Sequence, residues 1–199
     1  MTSSGVLRIA SLECGRAGKQ VFTNYHACWS NRRTCLSAPN GAGKSTLLCA
    51  IAGLLPLHGG QIVWHERPIQ MADPSIALSS DSIQLPAFLT AAELLQLQQR
   101  MWQLPAPTQL IDDFAFTHHL ATRVEALSAG NLKKLSLLLA FMRQPELLLL
   151  DEPTIALDEA AQQALWRYID TYPGTIIAAS HEAAVFRAHQ FELVPLHAA

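Results

Sequence analysis

The stretch Ala38-Pro39-Asn40-Gly41-Ala42-Gly43-Lys44-Ser45-Thr46 constrains this chain more than any other. Small residues let backbone N–H groups wrap an anion, a lysine reaches the outer phosphates of a nucleotide, and a serine or threonine hydroxyl serves Mg²⁺. A short β-type run at 34–37 precedes the stretch, and residues 44–52 read as a helix with Gly53 as its C-cap. An anion at such a helix start also meets the positive end of the helix dipole. Asn40, Gly41, Ala42, Gly43, Lys44, Ser45 and Thr46 are therefore expected to bind nucleotide, and Ser45 also the metal. One position departs from the strict pattern G-x-x-x-x-G-K-[ST]: Ala38 stands at its first glycine. Alanine tolerates positive φ poorly, so the loop start either takes an ordinary conformation or carries modest strain. The plainer alternative is a glycine-rich turn before an ordinary helix, but Gly-Lys-Ser-Thr in this setting speaks against it.

A second signal lies in Leu147-Leu148-Leu149-Leu150-Asp151-Glu152. An apolar strand that delivers a carboxylate at its C-terminal end is the usual partner of a phosphate loop. Asp151 would hold Mg²⁺, directly or through water, and Glu152 is the natural general base for an attacking water. Taken alone, the same residues describe a strand that ends in solvated acids.

Around these signals, strands and helices alternate. Residues 6–12 and 21–29 look like strands of an N-terminal meander, and 61–64 and 75–78 like further short strands. Helical patterning runs over 91–101, where Pro105 and Pro107 end it, then over 110–121 and 131–142. A buried strand at 147–150, a helix at 159–171 and strands at 175–179 and 191–196 complete the chain. This predicts an α/β fold: a P-loop NTPase core, an N-terminal antiparallel β-meander and a helical insertion subdomain. The whole chain, 1–199, is expected to be one ATPase domain, with its core at about 1–83 and 136–199 and the helical part at about 84–135.

Composition narrows the partners. A formal net charge of −2 gives no basic footprint for nucleic acid. No run approaches the roughly 18–20 apolar residues that span a bilayer. Residues Met1–Gly5 are polar and lack a signal-peptide pattern, so a cytosolic chain is expected unless a partner holds it at a membrane. Half of the residues are hydrophobic, which points to apolar surface that a partner covers. The four cysteines form no CxxC pair and are expected to be reduced and mostly buried.

Together, Asn40–Thr46, Leu127-Ser128-Ala129-Gly130-Asn131, Asp151-Glu152-Pro153-Thr154, Ala156-Leu157-Asp158 and His181 stand in the order and approximate spacing of the ABC-transporter ATPase family. The chain resembles that family from about Leu7 to Leu196. Its small size and Leu-Ser-Ala-Gly variant are most similar to short exporter-type members, such as the ATPase of the haem exporter used in cytochrome c maturation.

The resemblance implies an ATP-hydrolysing subunit, using ATP and Mg²⁺, that drives a separate integral membrane transporter subunit. It implies a head-to-tail dimer with a second copy or a related ATPase subunit, held peripherally on the cytoplasmic face of the inner membrane. Ser128 and Gly130 would then meet the γ-phosphate of the ATP held by the other protomer, although Ser128 also suits a plain helix N-cap. Asp158 would communicate across the dimer and also cap the helix at 159–171. His181, directly after a core strand, would touch the γ-phosphate and orient the catalytic water. Residues 85–97, with Pro86 and Phe88, would form the groove for the membrane partner. Export is the expected direction.

Departures from the family pattern shape further expectations. No adenine-stacking aromatic is evident near Cys14-Gly15-Arg16, and Arg16 would stack on the base as a planar cation. The glutamine expected after the strand at 75–78 is replaced by Ser79-Ser80-Asp81-Ser82. Asp81, or Gln84 a few residues later, would serve Mg²⁺ instead. Ala129 and Asn131 replace the commoner Gly and Gln, which makes slow hydrolysis an expectation. Lys133 and Lys134 read as a solvated helix face, His118-His119 as surface, and Trp64, Trp102 and Trp166 as core or interface anchors. Two other classes stay open: a soluble relative such as an iron–sulfur assembly partner, and a weakly hydrolysing regulatory module.

Overall fold

In the computed structural model, residues 5–16, 18–71 and 73–196 are described. The polar Met1–Gly5 stretch, apart from Gly5, lies outside them. Along the chain run β1 (Leu7–Arg16), β2 (Lys19–Trp29), β3 (Arg33–Ser37), α1 (Lys44–Ile51), β4 (Gly59–Trp64), β5 (Arg67–Pro68) and β6 (Ile76–Ser79). Then come α2 (Ala91–Trp102), α3 (Thr108–Asp113), α4 (Ala129–Phe141), β7 (Leu147–Asp151), α5 (Glu159–Thr171), β8 (Thr175–Ser180), α6 (Ala183–Ala188) and β9 (Glu192–Pro195). The fold is α/β, and no helix among the described residues is long and apolar enough to cross a membrane.

The chain divides into two compact units. The first takes residues 1–78, 145–152 and 173–199. It holds an antiparallel sheet in the order β2-β1-β4-β5 and a five-stranded sheet in the order β6-β7-β8-β3-β9. Strands β7, β8, β3 and β9 run parallel to their neighbours among these four. Strands buried on both faces read as unbroken apolar runs. Accordingly Leu147, Leu148, Leu149 and Leu150 are all fully buried, and every residue of β8 is buried. Truncating any of these leucines to alanine should cost about 2–5 kcal/mol.

Helix α1 stops as the sequence leads one to expect. Gly53, at φ 69°, donates its N–H to Ala50 O, and Leu54 N–H bonds to Cys49 O. This is the paired closure that a left-handed glycine makes possible. The β4–β5 hairpin has no such sequence signal. His65 and Glu66 both take positive φ, at 48° and 63°, without the Asn-Gly pair that usually marks this turn.

The second unit takes residues 79–144 and 153–172, including α2 to α5. Helix α2 starts in a capping box between Thr90 and Glu93. The helix expected over 110–121 is interrupted: α3 ends at Asp113, and a 3₁₀ turn follows at Thr117–His119. The reason lies in Phe114 and Phe116, both buried. Two residues apart, they would point to opposite sides of one helix. Ala115 at φ 50° breaks the helix and lets both rings enter the interior. Phe114 and Phe141 pack on Tyr168, with ring centroids 5.9 and 5.5 Å away. Tyr168 Oη donates to Asp113 Oδ2 at 2.6 Å, so the polar end of a mostly buried ring is satisfied.

The lysines of α4 do not form a solvated face. Lys133 and Lys134 are 2% and 6% exposed, and each reaches a carboxylate at 2.7 Å, Asp81 and Asp158 respectively. Helix α4 is apolar nearly all round, so its cations have little solvent of their own and need acidic partners. His119 is also more engaged than a surface histidine. It is half-buried against Phe116, at a ring separation of 5.6 Å, and within 3.5 Å of Asn131 Nδ2; His118 is exposed. Trp64 is buried, while Trp102 is half-buried with the Arg143 guanidinium 4.2 Å above its ring.

Candidate nucleotide site

The loop after β3 delivers the phosphate-binding residues at the C-terminal end of a parallel strand, the usual place for a ligand in an α/β sheet. Ala38 does not take a positive φ and lies in the hydrophobic core, so the first-glycine departure is absorbed without backbone strain. Gly41 and Gly43 take φ 83° and 89°, which a side chain would resist. Gly43 is the N-cap of α1, and no side chain caps that helix start. A Cβ on Gly43 would lie 2.7 Å from Val21 Cγ1. Strand β2 thus closes down on the loop.

Lys44 is buried, and its Nζ donates to Ala38 O at 2.8 Å and Pro39 O at 3.3 Å. The same ammonium lies 3.3 Å from Glu152 Oε1. Around this pair a cavity of about 400 Å³ opens, lined by Asn40, Gly41, Gly43, Lys44, Ser45 and Thr46 with Glu152, and walled by Lys19, Gln20 and Val21 of β2. That volume is within the ordinary range of small-ligand sites.

Strand order explains how the acids arrive. Strand β8 lies between β7 and β3, so the ends of β7 and β8 sit beside the loop. Asp151 ends β7 and is buried. Glu152 follows at φ 44°, a conformation that costs a non-glycine residue on the order of 1–3 kcal/mol. Its main-chain N–H donates to Ala179 O at 2.8 Å, anchoring the turn on β8. Its carboxylate then collects donors: Lys44, Ser180 Oγ at 3.1 Å, His181 N–H at 3.2 Å, and a His181 Nδ1 contact at 3.0 Å. Within reach of the Glu152 charge lies Cys35, whose thiol is pushed up to about 12 by burial and then by that negative charge. It is a packing residue, not a nucleophile.

Ser45 offers a hydroxyl and Asp151 a carboxylate, both hard oxygen donors. Among the described residues no group of three or more His, Cys, Asp or Glu gathers into a self-sufficient metal cage. One carboxylate, a hydroxyl and substrate phosphates are the donor set that suits Mg²⁺, so these residues fit that ion.

The remaining expected residues divide by position. Arg16 ends β1, is exposed, and lies near enough to α1 for its charge to act on the Cys49 thiol. The cavity wall at that side comes instead from Lys19, Gln20 and Val21. In the second unit, Ser128 is exposed and caps α4, its Oγ accepting Asn131 N–H at 3.3 Å. Gly130 packs on the main chain, where a Cβ would stand 2.6 Å from Ala156 O. Asp158 caps α5 through Ala161 N–H at 2.8 Å and also holds Lys134. Asp81 is occupied by Lys133, and Gln84 is exposed on the segment that follows.

Sequence reading missed Ser180, the β2 wall and Lys134. Ser180 falls just past the strand expected at 175–179 and next to His181, whereas nothing in Lys19-Gln20-Val21 distinguishes a strand start from a ligand wall.

Comparison with known proteins agrees with this geometry. The family model described as ABC transporter matches residues 26–155. The zinc import ATP-binding protein ZnuC of Pseudomonas fluorescens is 29% identical over 185 residues, covering 90% of this chain and 69% of that protein. Its counterpart in Cereibacter sphaeroides is 35% identical, covering 80% of this chain and 65% of that one. The cytochrome c biogenesis ATP-binding export protein CcmA of Albidiferax ferrireducens is 28% identical over the full length of both. The solved ATP-binding subunit of an ABC transporter shares the fold at a TM-score of 0.82 and 24% identity, over 96% of this chain and 86% of that one. A bacterial Atm1-family ABC exporter with ATP bound superposes at 0.79 and 15% identity, over 99% of this chain and 38% of that one. A phosphate loop, an acid-tipped neighbouring strand and a family match over most of the chain have one reading: the protein belongs to the ABC transporter family, as an ATP-binding, ATP-hydrolysing subunit.

Proposed function

We propose that this chain powers export through a separate membrane subunit, working as a head-to-tail dimer on the cytoplasmic face of the inner membrane. The observation that carries the catalytic part is the convergence of Lys44, Ser180 and His181 on the Glu152 carboxylate. The alignment with the cytochrome c biogenesis export protein over the full length of both chains supports the export reading.

In this mechanism the uncapped start of α1 and the loop N–H groups hold the β- and γ-phosphates. Lys44 turns from the Ala38 and Pro39 carbonyls to the phosphate oxygens. Ser45 and Asp151 hold Mg²⁺, which supplies charge neutralisation on the phosphates. Glu152 takes the proton of the attacking water as its oxygen bonds to the γ-phosphorus and the bond to ADP breaks. His181 keeps that water and the γ-phosphate in line. Ser128 and Gly130 offer a hydroxyl and an N–H to the ATP of the other protomer, and Asp158 links the two halves. Arg16 stands for base contact, and Asp81 or Gln84 for the missing glutamine.

Two experiments test this. Glu152→Gln should trap a closed dimer with MgATP, read by size-exclusion chromatography with light scattering. A variant that stays monomeric, or that hydrolyses ATP at the parental rate, rejects Glu152 as the base. Separately, a tagged pull-down from detergent-solubilised membranes should recover a multi-span protein in near-stoichiometric amount. Recovery of soluble partners alone would transfer the chain to the soluble relatives.

A further inference from the structure

Ser180 closes β8 and is fully buried. Its Oγ accepts the Glu182 N–H at 3.0 Å and donates to Glu152 Oε2 at 3.1 Å. The first bond fixes the oxygen, and the second gives its hydrogen a defined acceptor. The backbone beneath is equally fixed. Ser180 pairs with Ser37 in the parallel register of β3 and β8, and the neighbouring Ala179 carbonyl receives the Glu152 N–H. The end of β8 therefore holds Glu152 at both main chain and side chain.

The donors to Glu152 are not equivalent. Lys44 lines the phosphate cavity, and His181, in contact with the cavity-lining Glu152, is 40% exposed, so a bound nucleotide would compete for both. Ser180 has no exposed surface to offer a ligand. We propose that Ser180 is a positioning residue for the general base, holding Glu152 Oε2 in place while Lys44 and His181 engage the nucleotide. This rests on the assignment of Glu152 as base under the proposed function. A donor within a buried, pre-formed turn costs no reorganisation when the reaction proceeds. It also restrains a carboxylate that the left-handed backbone of Glu152 would otherwise leave on a long lever.

The test uses steady-state ATP hydrolysis by the full chain, with melting temperature and MgATP affinity measured alongside. Ser180→Ala should lower kcat by about tenfold, the scale of one well-placed hydrogen bond, with KM for MgATP little changed. Ser180→Thr should restore most of the rate. If its extra methyl lowers the melting temperature, Ser180→Cys, with a weaker donor and similar volume, should fall between alanine and serine. In the Glu152→Gln background, Ser180→Ala should cause no further loss and leave MgATP affinity, read by calorimetry, unchanged. Parental kcat in Ser180→Ala with Glu152→Gln inactive would overturn the proposal alone. Parental hydrolysis by Glu152→Gln would remove the base assignment and the proposal together. Loss of rate in Ser180→Ala matched by an equal loss of MgATP affinity would also overturn it, since the hydroxyl would then serve binding.

Discussion

Lys133 Nζ lies 2.7 Å from Asp81 Oδ1, an ammonium only 2% exposed held by a carboxylate 68% exposed. Two residues earlier in the chain, Ser79 Oγ lies 2.8 Å from Ser136 Oγ. The segment that carries a glutamine in the family pattern is thus fastened to α4 at two points, one helical turn apart.

Removing the acid takes one carboxylate from a buried cation, whereas removing both charges together does not. Asp81→Asn should lower stability by about 1–3 kcal/mol, the exposed side of the pair limiting the loss. Adding Lys133→Met should recover most of it. Urea unfolding of the single and double variants checks the non-additivity. If Asp81 serves Mg²⁺ instead, Asp81→Asn should raise the Mg²⁺ concentration for half-maximal hydrolysis and leave stability unchanged.

Gly43→Ala should damage the phosphate cradle twice over. Its φ of 89° is unfavourable for alanine, and the new methyl would stand 2.7 Å from Val21 Cγ1. The expected cost is about 1–3 kcal/mol in stability, with MgATP affinity reduced at least as much. Calorimetric titration with nucleotide, paired with thermal melting, measures both.

Gly130→Ala should act on turnover rather than on loop binding. Its Cβ would press on Ala156 O at 2.6 Å and shift the start of α4 or the turn before Asp158. We expect kcat to fall by at least about tenfold with MgATP affinity of the monomer little changed. Equal loss in both would show that the two effects are not separable.

Acid should weaken the helical unit. The Lys134 ammonium, then the Ala161 N–H, holds the Asp158 carboxyl below its usual range, and the Tyr168 hydroxyl does the same for Asp113. A depressed folded value gives stability that is fully present above the ordinary carboxyl pKa of about 3.9 and is lost as pH falls through the depressed value. Urea midpoints should therefore hold between pH 7 and about pH 5 and decline below about pH 4 for these groups. Asp158→Asn and Asp113→Asn should each be less stable at neutral pH and show a shallower acid decline.

Thiol reactivity should be unequal. Cys28 is exposed, while Cys14, Cys35 and Cys49 are buried with their thiols pushed up by burial. A disulfide reagent at pH 8 should label one cysteine quickly in the native protein and all four in denaturant. Fast labelling of Cys35 would show that the packing around β3 opens.

Much of the chemistry was legible because it is contiguous. A phosphate cradle is built from successive backbone N–H groups, so Asn40–Thr46 carry it wherever the strand and helix on either side form. The same holds for Asp151 and Glu152, placed by a strand whose apolar run announces its burial. Periodicity located most helices because each has one face that must be buried. It failed at 110–121, where Phe114 and Phe116 had to enter the same interior and the helix broke to let them.

The sequence by itself determined the loop, the acid-tipped strand and the α/β alternation, since each depends on neighbours along the chain. Only the tertiary structure decided the rest. Lys133 and Lys134 look solvated until α4 is packed and their carboxylates arrive from distant segments. Val21 becomes a wall of the cavity only when β2 folds over Gly43. Ser180 meets Glu152 from 28 residues away, because strand order sets the end of β8 beside the end of β7. Pairings of that kind depend on sheet topology and on the cost of burying charge, and neither is written in local sequence.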